Sequence, residues 1–254
     1  MNLDEVIDSF WESTQQGVYF PPEWRGKLSL EQGYRVQLGL LDRFLKNGEA
    51  QAGWKVGLTS KPIQQQLELF EPVFGFLLES GNRPAGTVIA YDELLAPCFE
   101  AELCLTLGKD LQGPGVTTEQ ARTAISAAQP ALEIVERRGD LSADLALALA
   151  DNAQQKFFVT GDGEPLREGV DLKAVAVQMV VNGEQVDEAT GQNVMGDPAA
   201  SVAWLANRLA TFEKTLAAGA RIMSGSFTKQ HAIAQGDLIE AHFSPFGTVM
   251  AEFQ

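Results

Sequence analysis

Three glutamates and one lysine are the residues of this chain whose types and spacing could do chemistry. In CFEAELCLTLG, Phe99, Ala101, Leu103, Leu105 and Leu107 alternate with Glu100 and Glu102. A strand there hides one face and presents both carboxylates on the other. Two carboxylates about 7 Å apart along a strand can converge on one hard cation. An E-x-E pattern has two readings, a solvated strand face or a metal site. A third carboxylate, Glu133, sits between Leu132 and Ile134 in a second strand candidate, PALEIVE, and favours the metal. Carboxylates in such apolar surroundings need a partner, and a divalent ion relieves their repulsion most simply.

Lys55 lies between aliphatic residues in GWKVGLTS, with glycines on both sides. It either extends its head to water or is a desolvated amine whose lowered proton affinity suits acid/base work. The backbone of Gly57, Leu58 and Thr59 could add amide donors for a carboxylate.

The elements that must position these groups follow from periodicity. LDEVIDSFWEST and SLEQGYRVQLGLLDRFLKNG carry apolar residues at helical spacing, with Ser29 and Gln32 as a capping box and Gly48 as a stop. From Trp54 to Thr106 short apolar runs punctuated by Gly and Pro predict strands and loops. A helix is predicted from Thr117 or Thr118 until Pro130, which cannot donate its backbone hydrogen bond. ALEIVE is then a strand, ADLALALADNA a helix and KFFVTG a strand. AVAVQMVVNGEQV is a hairpin turning at Asn182-Gly183. A helix from Asp197 to about Leu216 precedes three short strands.

The 254 residues, 45% hydrophobic and 21% charged, describe a folded globular chain. A helical N-terminal portion over residues 1–50 and a catalytic domain over residues 51–254 are expected. The acidic start, MNLDEVIDSFWESTQQG, lacks the basic and apolar regions of a signal peptide. A cytoplasmic location is therefore expected, with no membrane partner. The net charge of −15 opposes binding to nucleic acid or anionic lipid, so an anionic substrate needs a local cation. Cys98 and Cys104 are too few for a disulfide framework and read as buried thiols.

The ordered set GWKVGLTSKPIQQQL, EPVFGFLL, PCFEAELCLTLGKDL, PALEIVE, the ADNA run, GDPAASVAWLANRLA and MSGSF…GDLIEAHFSPFGTV resembles the 2-keto-4-pentenoate hydratase/4-oxalocrotonate decarboxylase family of the fumarylacetoacetate hydrolase superfamily. The resemblance runs from about residue 30 to the C-terminus. It implies an α+β fold, a mixed, rolled β-sheet with flanking helices, in a homo-oligomer that could associate with another enzyme of its catabolic pathway. Carried over by position, it implies Glu100, Glu102 and Glu133 as ligands of Mg²⁺ or Mn²⁺, with Lys55 transferring protons on a 2-keto acid substrate. Gly57, Leu58, Thr59, Asn152, Lys156, Ser226 and Lys229 would bind that substrate. Hydration of a 2-hydroxydienoic acid is the expected reaction, with decarboxylation or hydration of a diacid as the alternative.

Two departures stand out. Relatives often carry P-D-F-G where this chain has Pro72-Val73-Phe74-Gly75, so an acidic group is missing and Glu79 is expected to substitute as a catalytic residue. Gln154, Gln155 and Lys156 stand where small residues are common in the hydratases, and the cations Lys156 and Lys229 suggest a second anionic group on the substrate. Carbon–carbon bond hydrolases of the superfamily use a His-Glu pair from the N-terminal half, whereas His231 and His242 both lie near the C-terminus. A non-catalytic, ligand-binding relative would have no reason to keep Lys55 beside three glutamates. No glycine-rich nucleotide loop follows a strand.

Overall fold

Alternating apolar segments build a mixed, curled sheet in the computed structural model, which describes residues 1–66, 71–167 and 169–254. Leu67, which closes the KPIQQQL run, lies outside them. Among the described residues the larger sheet has nine strands, running β2 (Val73–Leu78), β1 (Gln51–Gly57), β11 (Arg221–Met223), β5 (Pro97–Leu107), β6 (Ile125–Glu136), β7 (Gln155–Thr160) and β3 (Asn82–Pro84). Off this path β12 (His231–Ala232) pairs with β5 and β8 (Glu164–Pro165) with β6. A five-stranded sheet runs β10 (Glu184–Thr190), β9 (Ala176–Val181), β13 (Leu238–Ser244), β14 (Gly247–Phe253) and β4 (Thr87–Ile89). The helices are α1 (Leu3–Gln15), α2 (Leu30–Lys46), α3 (Lys61–Gln66), α4 (Thr118–Ala124), α5 (Leu145–Ala150) and α6 (Pro198–Ala210).

The main core takes the apolar face of β5, Phe99 through Leu107 at every second residue, together with α6 and the inner face of the smaller sheet. Each fully buried Leu or Phe there contributes about 1.5–3 kcal/mol. A second cluster joins α1 and α2 to α5 through Val6, Phe10, Val36, Leu40 and Leu147. Gln37 of α2 also donates to the carbonyls of Phe74 and Leu149, so the N-terminal helices brace both β2 and α5. The capping box of Ser29 and Gln32 is present. Asn182 and Gly183 both take positive φ in the expected hairpin turn.

Two predicted helix ends are corrected. The first helix after Thr117 stops at Ala124, and Pro130 lies inside β6. Eleven residues of β5 pair along β6, from Pro97↔Glu136 to Leu107↔Ile125, and this pairing overrides local helix propensity. Pro130 falls between the β8 pairing at Ala127 and Ala128 and the β7 pairing that begins at Ala131. Its missing donor therefore costs no ladder bond there. The helix from Asp197 ends at Ala210, with Leu216 bridged to Leu111. No helix of the described residues is long and apolar enough to cross a membrane.

Candidate metal centre and active site

Strand register brings the glutamates together. Glu100 pairs with Glu133 across β5 and β6, and Glu102 lies one repeat along the same face. Beneath them Cys104, Ala131, Phe158, Met223 and Leu77 form a separate apolar plug. Lys55 registers with Met223, which registers with Cys104, so the lysine shares the carboxylate face. The three carboxylates each offer an oxygen within 4.8 Å of the others.

Lys55 is 4% exposed. Its Nζ stands 3.2 Å from the Ala153 carbonyl and 3.3 Å from Glu133 Oε1. That carbonyl belongs to a left-handed turn in which Asn152, Ala153 and Gln154 have φ of 52°, 48° and 63°. Three consecutive non-glycine residues in this region cost on the order of 1–3 kcal/mol each, so surrounding contacts must hold them. The Asn152 side chain accepts from Phe76 N–H and donates to Phe76 C=O, and Gln154 donates to Gly139 C=O. Gly75 is required opposite this turn. A Cβ on it would stand 2.9 Å from Asn152 Oδ1 and 3.1 Å from Lys55 Cε.

The carboxylate charge is only partly answered by protein. Glu102 Oε2 accepts from Gly225 N–H, and Glu100 Oε1 accepts from Gln230. Glu102 Oε1 and Glu133 Oε2 are buried without a partner, and Glu133 Oε1 has only the Lys55 ammonium at 3.3 Å. Burial, then the Glu133 charge, pushes Glu100 up to about 7, while Lys55 and Gln230 oppose the shift. Burial, then Glu133 and Glu100, holds Glu102 well above the ordinary carboxylate range. Orphaned oxygens in an all-carboxylate set fit a hard divalent ion with ligand distances of roughly 2.0–2.6 Å.

A pH dependence follows for metal-free protein. Both groups bind protons more tightly folded than unfolded, so their contribution is fully present below about pH 4.5 and is lost as pH rises, that of Glu100 through about 7. Thermal unfolding in EDTA is expected to show Tm falling across that window, with added Mg²⁺ removing most of the fall by occupying the deprotonated site. A Tm that ignores Mg²⁺ at pH 8 would contradict this account.

Glu100 opens onto a cavity of about 760 Å³ that Leu58, Thr59, Gln154, Ser226 and Gln230 help to line. Gly57 lies at the end of β1, where a Cβ would meet Lys55 Nζ at 3.4 Å. The Ser226 hydroxyl is buried without a partner. Lys229 is exposed and lines an adjoining cavity that shares Thr59, Ser60, Ser226 and Thr228.

Two expected residues stand elsewhere, and a third has a structural task. Glu79 lies beyond the apolar plug, pairs with Arg221 and lines a different cavity with Gln51 and Lys214. It is four residues past Gly75, the partner of Lys55, roughly 13 Å of strand. Lys156 pairs with buried Glu136 at 3.3 Å and does not line the Glu100 cavity. Asn152 commits one amide N–H and its Oδ1 to Phe76, which shapes the turn beside Lys55. His231 pairs with Phe99 across β12 and β5, on the face opposite Glu100, where it meets Asp187.

Sequence reasoning missed Arg137 on the cavity wall and the buried Arg138 behind it. Arg138 binds Asp151 at 2.6 Å and Glu136 at 3.1 Å and donates to Asp151 C=O, fastening the start of the left-handed turn. Burial raises Asp151 to about 6 against the pull of Arg138. The doubled arginine in VERRG was the available signal. Arg138→Ala leaves buried carboxylates uncompensated, and a loss of about 3–5 kcal/mol is expected in urea unfolding at pH 7.5. A loss below about 1 kcal/mol would show that the network carries little.

The model of the fumarylacetoacetate (FAA) hydrolase C-terminal family matches residues 46–254. A 2-hydroxyhexa-2,4-dienoate hydratase of Comamonas testosteroni is 36% identical over 89% of this chain and 87% of its own. A 4-oxalocrotonate decarboxylase of Pseudomonas putida is 33% identical over 89% and 86%. The solved structure of 4-oxalocrotonate decarboxylase from Pseudomonas putida G7, complexed with magnesium and adipate, superposes with a TM-score of 0.93 at 30% identity, covering 100% of this chain and 99% of that one.

Proposed function

The chain belongs to the fumarylacetoacetate hydrolase C-terminal family, and on that premise we propose that it is a divalent-metal-dependent lyase hydrating a 2-hydroxydienoic acid such as 2-hydroxypenta-2,4-dienoate. The hydratase and decarboxylase relatives support this enzyme class. The single observation that carries the reading is the convergence of three carboxylates, two with orphaned buried oxygens, beside a buried lysine.

Glu100, Glu102 and Glu133 would hold Mg²⁺ or Mn²⁺. When bound, such an ion supplies Lewis acidity toward the 2-oxygen of the substrate. Lys55 holds and moves the proton at Nζ, kept in place by the Ala153 carbonyl. Leu58, Thr59 and Ser226 line the space in which the 2-keto acid lies. Protonation of the dienol carbon yields a conjugated ketone, and that ketone accepts water.

Decarboxylation of a β,γ-unsaturated 2-keto diacid is the second reading, and Val73 favours it. The acidic position of P-D-F-G is here a buried valine, and Glu79 is remote. Loss of carbon dioxide needs no activated water, so that absence matters less to it. Purified protein with Mg²⁺ should be given 2-hydroxypenta-2,4-dienoate and 2-oxohex-3-enedioate, following dienol absorbance and carbon dioxide release. Dienol loss without carbon dioxide supports hydration, carbon dioxide release supports decarboxylation, and inertness toward both refutes the lyase. A cytoplasmic homo-oligomer that associates with another enzyme of its pathway belongs to the same reading, and sedimentation of the purified chain tests its assembly.

A further inference from the structure

The cavity beside Glu100 carries one basic side chain among its described lining residues, Arg137. Arg137 directly follows β6 and its N–H donates to Ala96 C=O, next to the Pro97↔Glu136 pair. Arg137 lies four residues beyond Glu133, roughly 13 Å of strand, and its side chain lines the same cavity as Glu100, so the guanidinium and the carboxylate cluster face one space across that interval. In an extended six-carbon chain, C1 and C6 are about 6 Å apart.

The charge of Arg137 is free for use. No carboxylate of the described residues lies within 4.0 Å of it, whereas Arg138 and Lys156 are consumed by Glu136 and Asp151. Asp140 also borders the cavity, but its Oδ1 accepts from Ser142 N–H, Ser142 Oγ and Ala143 N–H. A chain with net charge −15 repels a dianion, and a guanidinium matches a carboxylate by two parallel hydrogen bonds.

We propose that Arg137 is a specificity-determining residue that receives the distal carboxylate of a six-carbon 2-keto diacid. The assignment rests on the reading above, in which the 2-keto carboxylate end lies at the three glutamates. It moves the distal-anion role from Lys156 and Lys229 to Arg137, because Lys156 is already paired and Lys229 lies on the neighbouring cavity.

The test compares 2-oxoadipate with 2-oxohexanoate, saturated acids that differ only in the C6 carboxylate, by calorimetry on the full chain with Mg²⁺. Arg137→Met should weaken 2-oxoadipate about 10- to 150-fold and leave 2-oxohexanoate within about twofold, while Arg137→Lys recovers part of the loss. If the chain turns over unsaturated substrates, KM for 2-oxohex-3-enedioate should rise in Arg137→Met without a matching rise for 2-hydroxypenta-2,4-dienoate. Equal loss for both acids, no loss for the diacid, or loss of discrimination in Lys229→Ala but not in Arg137→Met would overturn the proposal. Failure of every substrate to turn over would refute the lyase reading while the paired binding measurements still decide the role of Arg137.

Discussion

Glu102→Gln is expected to weaken Mn²⁺ or Mg²⁺ binding by more than about 100-fold, since loss of even an outer partner of a metal ligand costs about 10–100-fold. Glu102 is buried, with one oxygen fixed by Gly225 N–H and the other without a partner. Glutamine keeps the length and can still accept from Gly225, but it removes the negative charge. The metal-free form should respond differently, because Glu102 charges against burial and against Glu133 and Glu100. In EDTA at pH 8 the variant should therefore melt no lower than wild type. With Mg²⁺ at about 100 times its Kd, wild type should gain about 2.7 kcal/mol and the variant almost nothing. Unchanged Mn²⁺ affinity by calorimetry would remove Glu102 from the centre. Loss of stability in the metal-free variant would instead assign the carboxylate a structural role.

How much of this site was legible follows from how local its causes are. The alternation around Glu100 and Glu102 survives because one buried face forces every second residue outward. The partnership with Glu133 needed only a second strand with the same polarity, and the Glu100↔Glu133 register supplies it. Lys55 was readable from its glycine frame, of which the structure explains Gly53, where a Cβ would run into the Arg221 carbonyl oxygen, whereas one at Gly57 would make only ordinary contact at 3.4 Å. Contacts distant in sequence were not readable. Ala153 and Gln154 gave no glycine signal for left-handed backbone, and the turn is held by Phe76, Gly139 and Arg138. Ala127 and Ala128 favour helix in isolation, so pairing with β5 decided the end of α4. Glu79 looked like a substitute acid by its nearness to Gly75, but β2 carries it past the apolar plug to Arg221.

Lys55→Met should leave the fold and the metal centre while lowering kcat by about 10²–10⁴-fold, the usual worth of a positioned proton-transfer group. Methionine preserves most of the buried stem. What it deletes is the Nζ held 3.2 Å from Ala153 C=O and 3.3 Å from Glu133 Oε1. That second contact separates chemistry from structure. Removing the amine takes positive charge away from a carboxylate proposed to hold a cation, so divalent-ion affinity should be unchanged or tighter in the variant. A merely structural lysine predicts the reverse, because a collapsed turn at Asn152–Gln154 would loosen Gly75 and the carboxylate face together. Stopped-flow turnover and Mn²⁺ calorimetry on the same preparation distinguish the two. Turnover above about a tenth of wild type would contradict proton transfer by Lys55, and weaker Mn²⁺ binding in step with the lost rate would assign Lys55 to holding the site rather than to the reaction.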